Sequence, residues 1–159
     1  MPLTFNIRHL EEKEALLRGD LAVADLELEG CDELIHARQP LRYDLRAERI
    51  GQAILVQGRL EMVVDCECAR CLKPFHHSVV LDPWTAHLPL DGPEAVPIKD
   101  DLADLTPFLR EDILLEYPQH PLCGTDCGGL PNRTNEKKAT GAGRTEASSA
   151  WSELNKLKF

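Results

Sequence analysis

Four cysteines have the types and spacing to do chemistry: Cys68 and Cys71, separated by two residues, and Cys123 and Cys127, separated by three in a later part of the chain. A CxxC at a tight turn presents both sulfurs to one point, and a second pair can complete a tetrahedral thiolate shell of the kind that holds zinc. On this reading one zinc per chain ties two distant stretches together. The Cys123-Gly-Thr-Asp-Cys127 spacing is less diagnostic than the CxxC, and reduced, metal-free thiols are the alternative, with redox chemistry behind it. Redox thiols of the CxxC type sit at a helix N-terminus, where the dipole lowers the thiol pKa. Here Cys71 is followed by Leu72-Lys73-Pro74 and a β-rich run, so no helix is expected to start there. Cys66 belongs elsewhere: it falls in step with Leu60, Met62 and Val64 on the apolar face of a strand, where a free thiol behaves as a small hydrophobe. Cys31 lies upstream of both pairs.

A second group of side chains could meet a partner. Arg59, Arg70, Lys73, His76 and His77 are expected to cluster near the hairpin tip that carries the CxxC, within an otherwise acidic body. Asp65 and Glu67 lie among them, so ordinary solvated charge is an equal reading. His76 and His77 are strand neighbours pointing to opposite faces, so at most one of them could reach a metal. The chain has no phosphate-binding glycine loop, nucleophile elbow or HExxH motif, and the expectation is that it is not an enzyme.

The 159 residues suffice for one domain, and with aromatic residues at 5% its core must rest on Leu, Val and Ile. Residues 1–10 carry charge without an apolar leader segment, and no stretch approaches a membrane span, which points to a cytoplasmic protein with reduced thiols. The net charge of −9 is unevenly spread. Six of the 18 basic residues but only three of the 27 acidic ones lie beyond residue 130, leaving 12 and 24 in residues 1–130, a net −12. Such a body disfavours bulk contact with a polyanion, so any nucleic-acid contact must be local or go through a partner.

The elements that must position the cysteines follow from periodicity. Residues 3–7 suggest a short strand, and residues 10–18 a helix closed by Gly19. Leu41 to Glu48 alternates apolar and charged residues without a break, one face for the core and one for water. Residues 52–68 continue the alternation too far for one flat strand, and Gly58 is the expected bend. Residues 75–88 pair back as a strand or two, interrupted at Pro83, which makes the CxxC a hairpin tip. After a Pro-, Gly- and acid-rich loop at 91–101, Thr106 as N-cap and Pro107 at the first helical position open a helix to about Tyr117. Leu105, Leu109, Ile113, Leu114 and Tyr117 form its apolar stripe. Residues 131–149 read as a flexible linker, and 150–159 as a short helix whose Trp151, Leu154 and Leu157 either dock on the body or meet a partner. The whole predicts an α+β fold: a curved, mainly antiparallel sheet with one packed helix in a domain of residues 1–130, then a loose C-terminal tail.

Three blocks in order resemble the YceD family of bacterial and plastid proteins: CARCLKPF at 68–75, DLTPFLREDILLEYP at 104–118 and LCGTDCGGL at 122–130. AWSELNKLK at 150–158 is similar to that family's short C-terminal helix. The resemblance implies that Cys68, Cys71, Cys123 and Cys127 occupy the family's cysteine positions. It also implies a link to accumulation and processing of large-subunit ribosomal RNA, with the RNA precursor or a ribosomal protein as partner and no membrane. Genes of the family often adjoin that of a large-subunit ribosomal protein. Many relatives continue with a further CPxCG knuckle where this chain has Leu130-Pro131-Asn132-Arg133, and some lack part of the cysteine set. The function expected is non-enzymatic assistance to large-subunit assembly. The alternatives are an adaptor that binds a basic ribosomal protein, or an RNA-processing or redox enzyme.

Overall fold

Alternating polarity becomes a sheet organised around one long strand. In a computed structural model that describes residues 1–130, the strands are β1 (Thr4–Asn6), β2 (Ala15–Leu21), β3 (Ile35–Ala37), β4 (Leu41–Ile50), β5 (Ala53–Glu67), β6 (Pro74–Pro89), β7 (Ile98–Lys99) and β8 (Leu102–Asp104), followed by the helix α1 (Thr106–Glu116). β6 lies beside β5 along its whole length. The other edge of β5 is shared by β4, opposite Ala53 to Glu61, and by β3, opposite Val64 to Cys66, with β2 beyond β4. A separate small sheet has the order β1-β8-β7, and every pairing in both sheets is antiparallel. The fold is therefore the expected α+β arrangement of a curved antiparallel sheet with one packed helix. The linker expected at 131–149 and the helix expected at 150–159 lie outside the described residues.

The period of two sets which side chains reach the core. Leu41, Leu45 and Ala47 of β4 and Ile54, Val56, Leu60, Met62, Val64 and Cys66 of β5 are buried, while Arg42, Asp44, Arg46 and Arg59 face water. The bend expected at Gly58 is a bulge. Gly58 faces Trp84 and Leu60 faces Leu81, so Asp82 and Pro83 together stand opposite Arg59. The extra residue bends the pair and increases its twist. Only glycine fits at position 58, because an added Cβ would collide with the Asp44 carbonyl oxygen and come within 2.8 Å of Leu45 Cα. The expected interruption at Pro83 is corrected: β6 runs through it as one strand. The bulge takes Pro83 out of the regular ladder, where its missing N–H would otherwise leave a gap.

The helix meets the sheet through Leu105, Leu109 and Ile113, all fully buried, with Leu114 and Tyr117 partly covered beside them. Trp84 Nε1 donates to Asp112 Oδ2 at 2.6 Å, which fixes α1 to β6 next to the bulge. The cap falls one residue from where the sequence puts it. Leu105 is the N-cap and Thr106 the first helical residue. The Thr106 hydroxyl instead accepts the Leu3 N–H at 2.9 Å, while Asp104 Oδ1 accepts the Thr106 amide at 2.8 Å. A residue type suited to capping is thus spent on tying the helix to the N-terminal segment.

The helix expected at 10–18 does not form. The chain makes a 3₁₀ turn at Ile7–Glu11 and then β2. Glu, Lys, Ala and Leu favour a helix locally, but pairing with β4 buries Leu21, half-buries Leu17 and lets Arg18 reach Asp44 at 2.7 Å. Cross-strand partners decide the state here, as they commonly do in sheets. Gly19 is not a helix terminus but a site that leaves room for the Tyr43 ring, whose hydroxyl would lie 2.8 Å from an added Cβ.

Candidate metal centre

The β5–β6 hairpin carries Cys68 and Cys71 at its tip. Cys68 N–H donates to the Lys73 carbonyl at 3.0 Å and Leu72 N–H donates to the Cys68 carbonyl at 2.9 Å, closing the turn. Leu72 takes a left-handed φ of 60°, an uncommon choice for a residue with a branched side chain. The second pair arrives after α1, where Pro118 and Pro121 lead the chain back to the tip. Ala69 N–H donates to the Pro121 carbonyl at 2.7 Å, and Arg70 Nη1 to the Cys127 carbonyl at 3.4 Å. The second loop closes on itself through Cys127 N–H to the Gly124 carbonyl at 3.3 Å.

These contacts bring Cys68, Cys71, Cys123 and Cys127 together, with all four sulfurs within 4.8 Å of one another. Cys68 Sγ lies 3.6 Å from Cys127 Sγ, and Cys71 Sγ lies 3.6 Å from Cys123 Sγ. A tetrahedron with metal–sulfur bonds of ~2.3 Å has edges of ~3.8 Å, so this donor set fits a zinc-sized ion without rearranging the backbone. The electrostatics set two of the thiols apart. The Cys68 thiol is lowered to about 5, chiefly by hydrogen bonds from the backbone at Cys123 and then at Cys71, against the opposing effect of burial. Cys123 is pushed up to about 12 because its proton is shared with Cys71, Cys127 and Cys68, in that order. Four thiols this close cannot all ionise without a cation among them.

The other sequence candidates separate. Cys66 is buried in the core, and that burial, followed by the charges of Asp32 and Asp65, raises its thiol. Cys31 is exposed and bonds to the Glu27 carbonyl at 3.4 Å. Arg70 and Lys73 sit on the tip beside the sulfurs, both exposed. Arg59 does not join them, which corrects the expected cluster. It lies nine positions before Cys68, roughly 30 Å along an extended strand, and pairs with Glu61 at 3.2 Å and Asp82 at 3.3 Å. His76 bonds to Asp65 through Nδ1 at 2.8 Å, and His77 faces Val64 across the ladder on the other side of the sheet. Trp151, Leu154 and Leu157 lie outside the described residues. Sequence reasoning missed Arg38, which approaches Asp65 at 3.5 Å. It also missed the Ala69–Pro121 link, a backbone contact that no residue type announces.

A family profile described as "Large ribosomal RNA subunit accumulation protein YceD" matches residues 56–158. An uncharacterized protein of Mycobacterium leprae (strain TN) is 28% identical over 139 residues, covering 81% of this chain and 64% of that protein. Uncharacterized proteins of Mycobacterium bovis (strain ATCC BAA-935 / AF2122/97) and Mycobacterium tuberculosis (strain ATCC 25618 / H37Rv) are each 31% identical over 99 residues, 57% of this chain and 47% of theirs. The chain thus spans between 47% and 64% of the length of these relatives. No solved structure matches it significantly.

Proposed function

The chain belongs to the YceD family, and from that membership we propose that it is a non-enzymatic factor assisting accumulation and processing of large-subunit ribosomal RNA and assembly of that subunit. One observation carries the reading: the family match takes in the hairpin tip, α1 and all four clustered cysteines. We read the cluster as a zinc site with Cys68, Cys71, Cys123 and Cys127 as ligands. Four thiolates fill a tetrahedral shell and leave no open position for water or substrate, which suits a structural ion. The ion would supply a tether between hairpin tip and second loop, while Ala69 and Arg70 hold that loop in register.

A second reading, contact with the RNA through a basic protein, is favoured by the charge arrangement. On the solvent face of the sheet Arg18, Arg42, Arg46 and Arg59 each pair with a neighbouring carboxylate, so this face offers little to phosphate. Direct contact would fall to Arg70 and Lys73 at the tip, for which no ion pair is found among the described residues, or to the six basic residues beyond residue 130. A cytoplasmic site of action follows from the proposed role. No helix among the described residues is long and apolar enough to cross a membrane, which says nothing of β-barrels.

Crosslinking in cells, recovery of the tagged chain and identification of bound RNA and protein test the proposal. Large-subunit RNA precursors and proteins should be enriched over those of the small subunit, and equal recovery of both subunits would overturn it. Protein crosslinks without RNA crosslinks would select the adaptor reading.

A further inference from the structure

We propose that the four clustered thiols are an oxidation site for hydroperoxides, and that oxidation joins them across the two segments, Cys71 to Cys123 and Cys68 to Cys127, rather than within either pair. The inference takes its starting state from the zinc-site reading above, but the pairing rests on geometry alone. In both cross-segment combinations the sulfurs stand 3.6 Å apart. A disulfide needs them at ~2.05 Å, so these two pairs have little distance left to close. In the zinc-bound starting state all four sulfurs are thiolates, so access orders the events: Cys123 is exposed, Cys71 and Cys127 are partly covered, and Cys68 is buried. Cys66, two residues from Cys68, is sealed in the core at 1% exposure and stays out of the reaction.

The Cys123 sulfur attacks one oxygen of the peroxide, the O–O bond breaks, hydroxide leaves and Cys123 becomes a sulfenic acid. The Cys71 sulfur then displaces hydroxide from that sulfur and the first S–S bond forms. A second peroxide oxidises Cys127, and Cys68 resolves it. Each peroxide accepts two electrons from one pair of thiolates. In sum, four thiolates, two molecules of hydrogen peroxide and four protons give two disulfides and four waters, and a bound zinc leaves as the free dication. The consequence is mechanical. Bonds within each pair would cut the hairpin tip loose from the second loop, whereas cross-segment bonds replace a metal tether by a covalent one.

The experiment uses the full chain, zinc-loaded and metal-free, treated with hydrogen peroxide, its remaining thiols alkylated before non-reducing digestion. Trypsin cuts after Arg70, between Cys68 and Cys71, and a protease cutting before Asp126 separates Cys123 from Cys127. Mass spectrometry should find the two cross-segment peptide pairs dominant, each lighter by two hydrogens, with zinc released in step with them as read by a chromogenic chelator. In Cys123→Ser the Cys71 partner should be lost and recovered alkylated. Dominant Cys68–Cys71 or Cys123–Cys127 bonds, or thiols carried on to sulfinic acid without disulfides, would overturn the proposal. Protein that takes up no zinc would sink the zinc-site reading, while its disulfide map would still decide the pairing.

Discussion

At the open end of the β5–β6 hairpin, Ile54, Val56 and Leu88 are shut away from solvent and Trp84 is pinned to α1, whereas at the tip Ala69, Arg70, Leu72 and Lys73 all face water. The open end orders itself by removing apolar area from water, at about 25 cal/mol per Å². The tip buries too little to offset the roughly 1–2 kcal/mol of backbone entropy that each ordered residue costs. The second loop is in the same position, with Cys123, Gly124, Thr125 and Asp126 exposed. What the tip has instead is four sulfurs aimed at one point. If the proposed zinc is bound there, one hairpin depends on side-chain volume at one end and on ligation at the other, and changes at one end should leave the other nearly untouched.

The largest expected effect breaks the packed end. Gly58→Ala must push the Asp44 carbonyl aside or undo the bulge, so global stability should fall by about 3 kcal/mol or more in a denaturant titration, with metal content per folded chain unchanged. A loss under about 1 kcal/mol would mean that the bulge can shift without cost. Next in size is a contrast at the tip. Cys71→Ala should abolish metal binding and speed hydrogen exchange at the Ala69 amide, which is held by the Pro121 carbonyl, with little change in the global midpoint. Cys66→Ala should do the reverse, keeping the metal while lowering global stability by about 1 kcal/mol through a small core cavity. Matching effects of the two cysteine changes on metal content would erase the distinction between the two ends.

How far each end could be read from the chain follows the same division. The packed end announces itself, because alternation at 41–48 and 52–68 maps onto buried and exposed faces and the glycine at the bend is a local signal. The cysteine spacing likewise nominates the four residues that the fold brings together. The failures are cases where a distant partner decides. Residues 15–21 carry helix formers yet become a strand because β4 offers an edge, and Thr106 looks like a cap yet serves Leu3. Sequence proximity places Arg59 with the tip, but an extended strand carries it well away from the CxxC turn.

A smaller effect should come from the turn itself. Leu72 holds a left-handed backbone that costs a residue with a Cβ ~1–2 kcal/mol, part of which glycine returns as extra entropy in the unfolded chain. Leu72→Gly should therefore strengthen the tip by up to about 1 kcal/mol, seen as slower exchange of the residue 72 amide and slower loss of metal to a chelator. Because Leu72 is 55% exposed, the packed end should not register the change. Faster metal loss would show that the leucine side chain itself shields the sulfurs.

The smallest effect tests the joint between the two regions. Tyr117 ends α1, and Pro118 then carries the chain toward the second cysteine pair. The ring packs against the core, but its hydroxyl is buried with no hydrogen-bond partner among the described residues. Burial, followed by the charges of Cys31, Cys66 and Asp32, pushes its pKa up to about 12, so the phenol stays neutral throughout the range in which the protein would be studied. A buried hydroxyl without a partner keeps its desolvation cost and gains nothing for it. Tyr117→Phe keeps the ring and removes that cost, so stability should rise by as much as about 1 kcal/mol at neutral pH, with metal content unchanged. If Tyr117→Phe instead lowers stability, the hydroxyl is bonded in solution, and the joint depends on a polar contact rather than on the packing that holds the rest of this end.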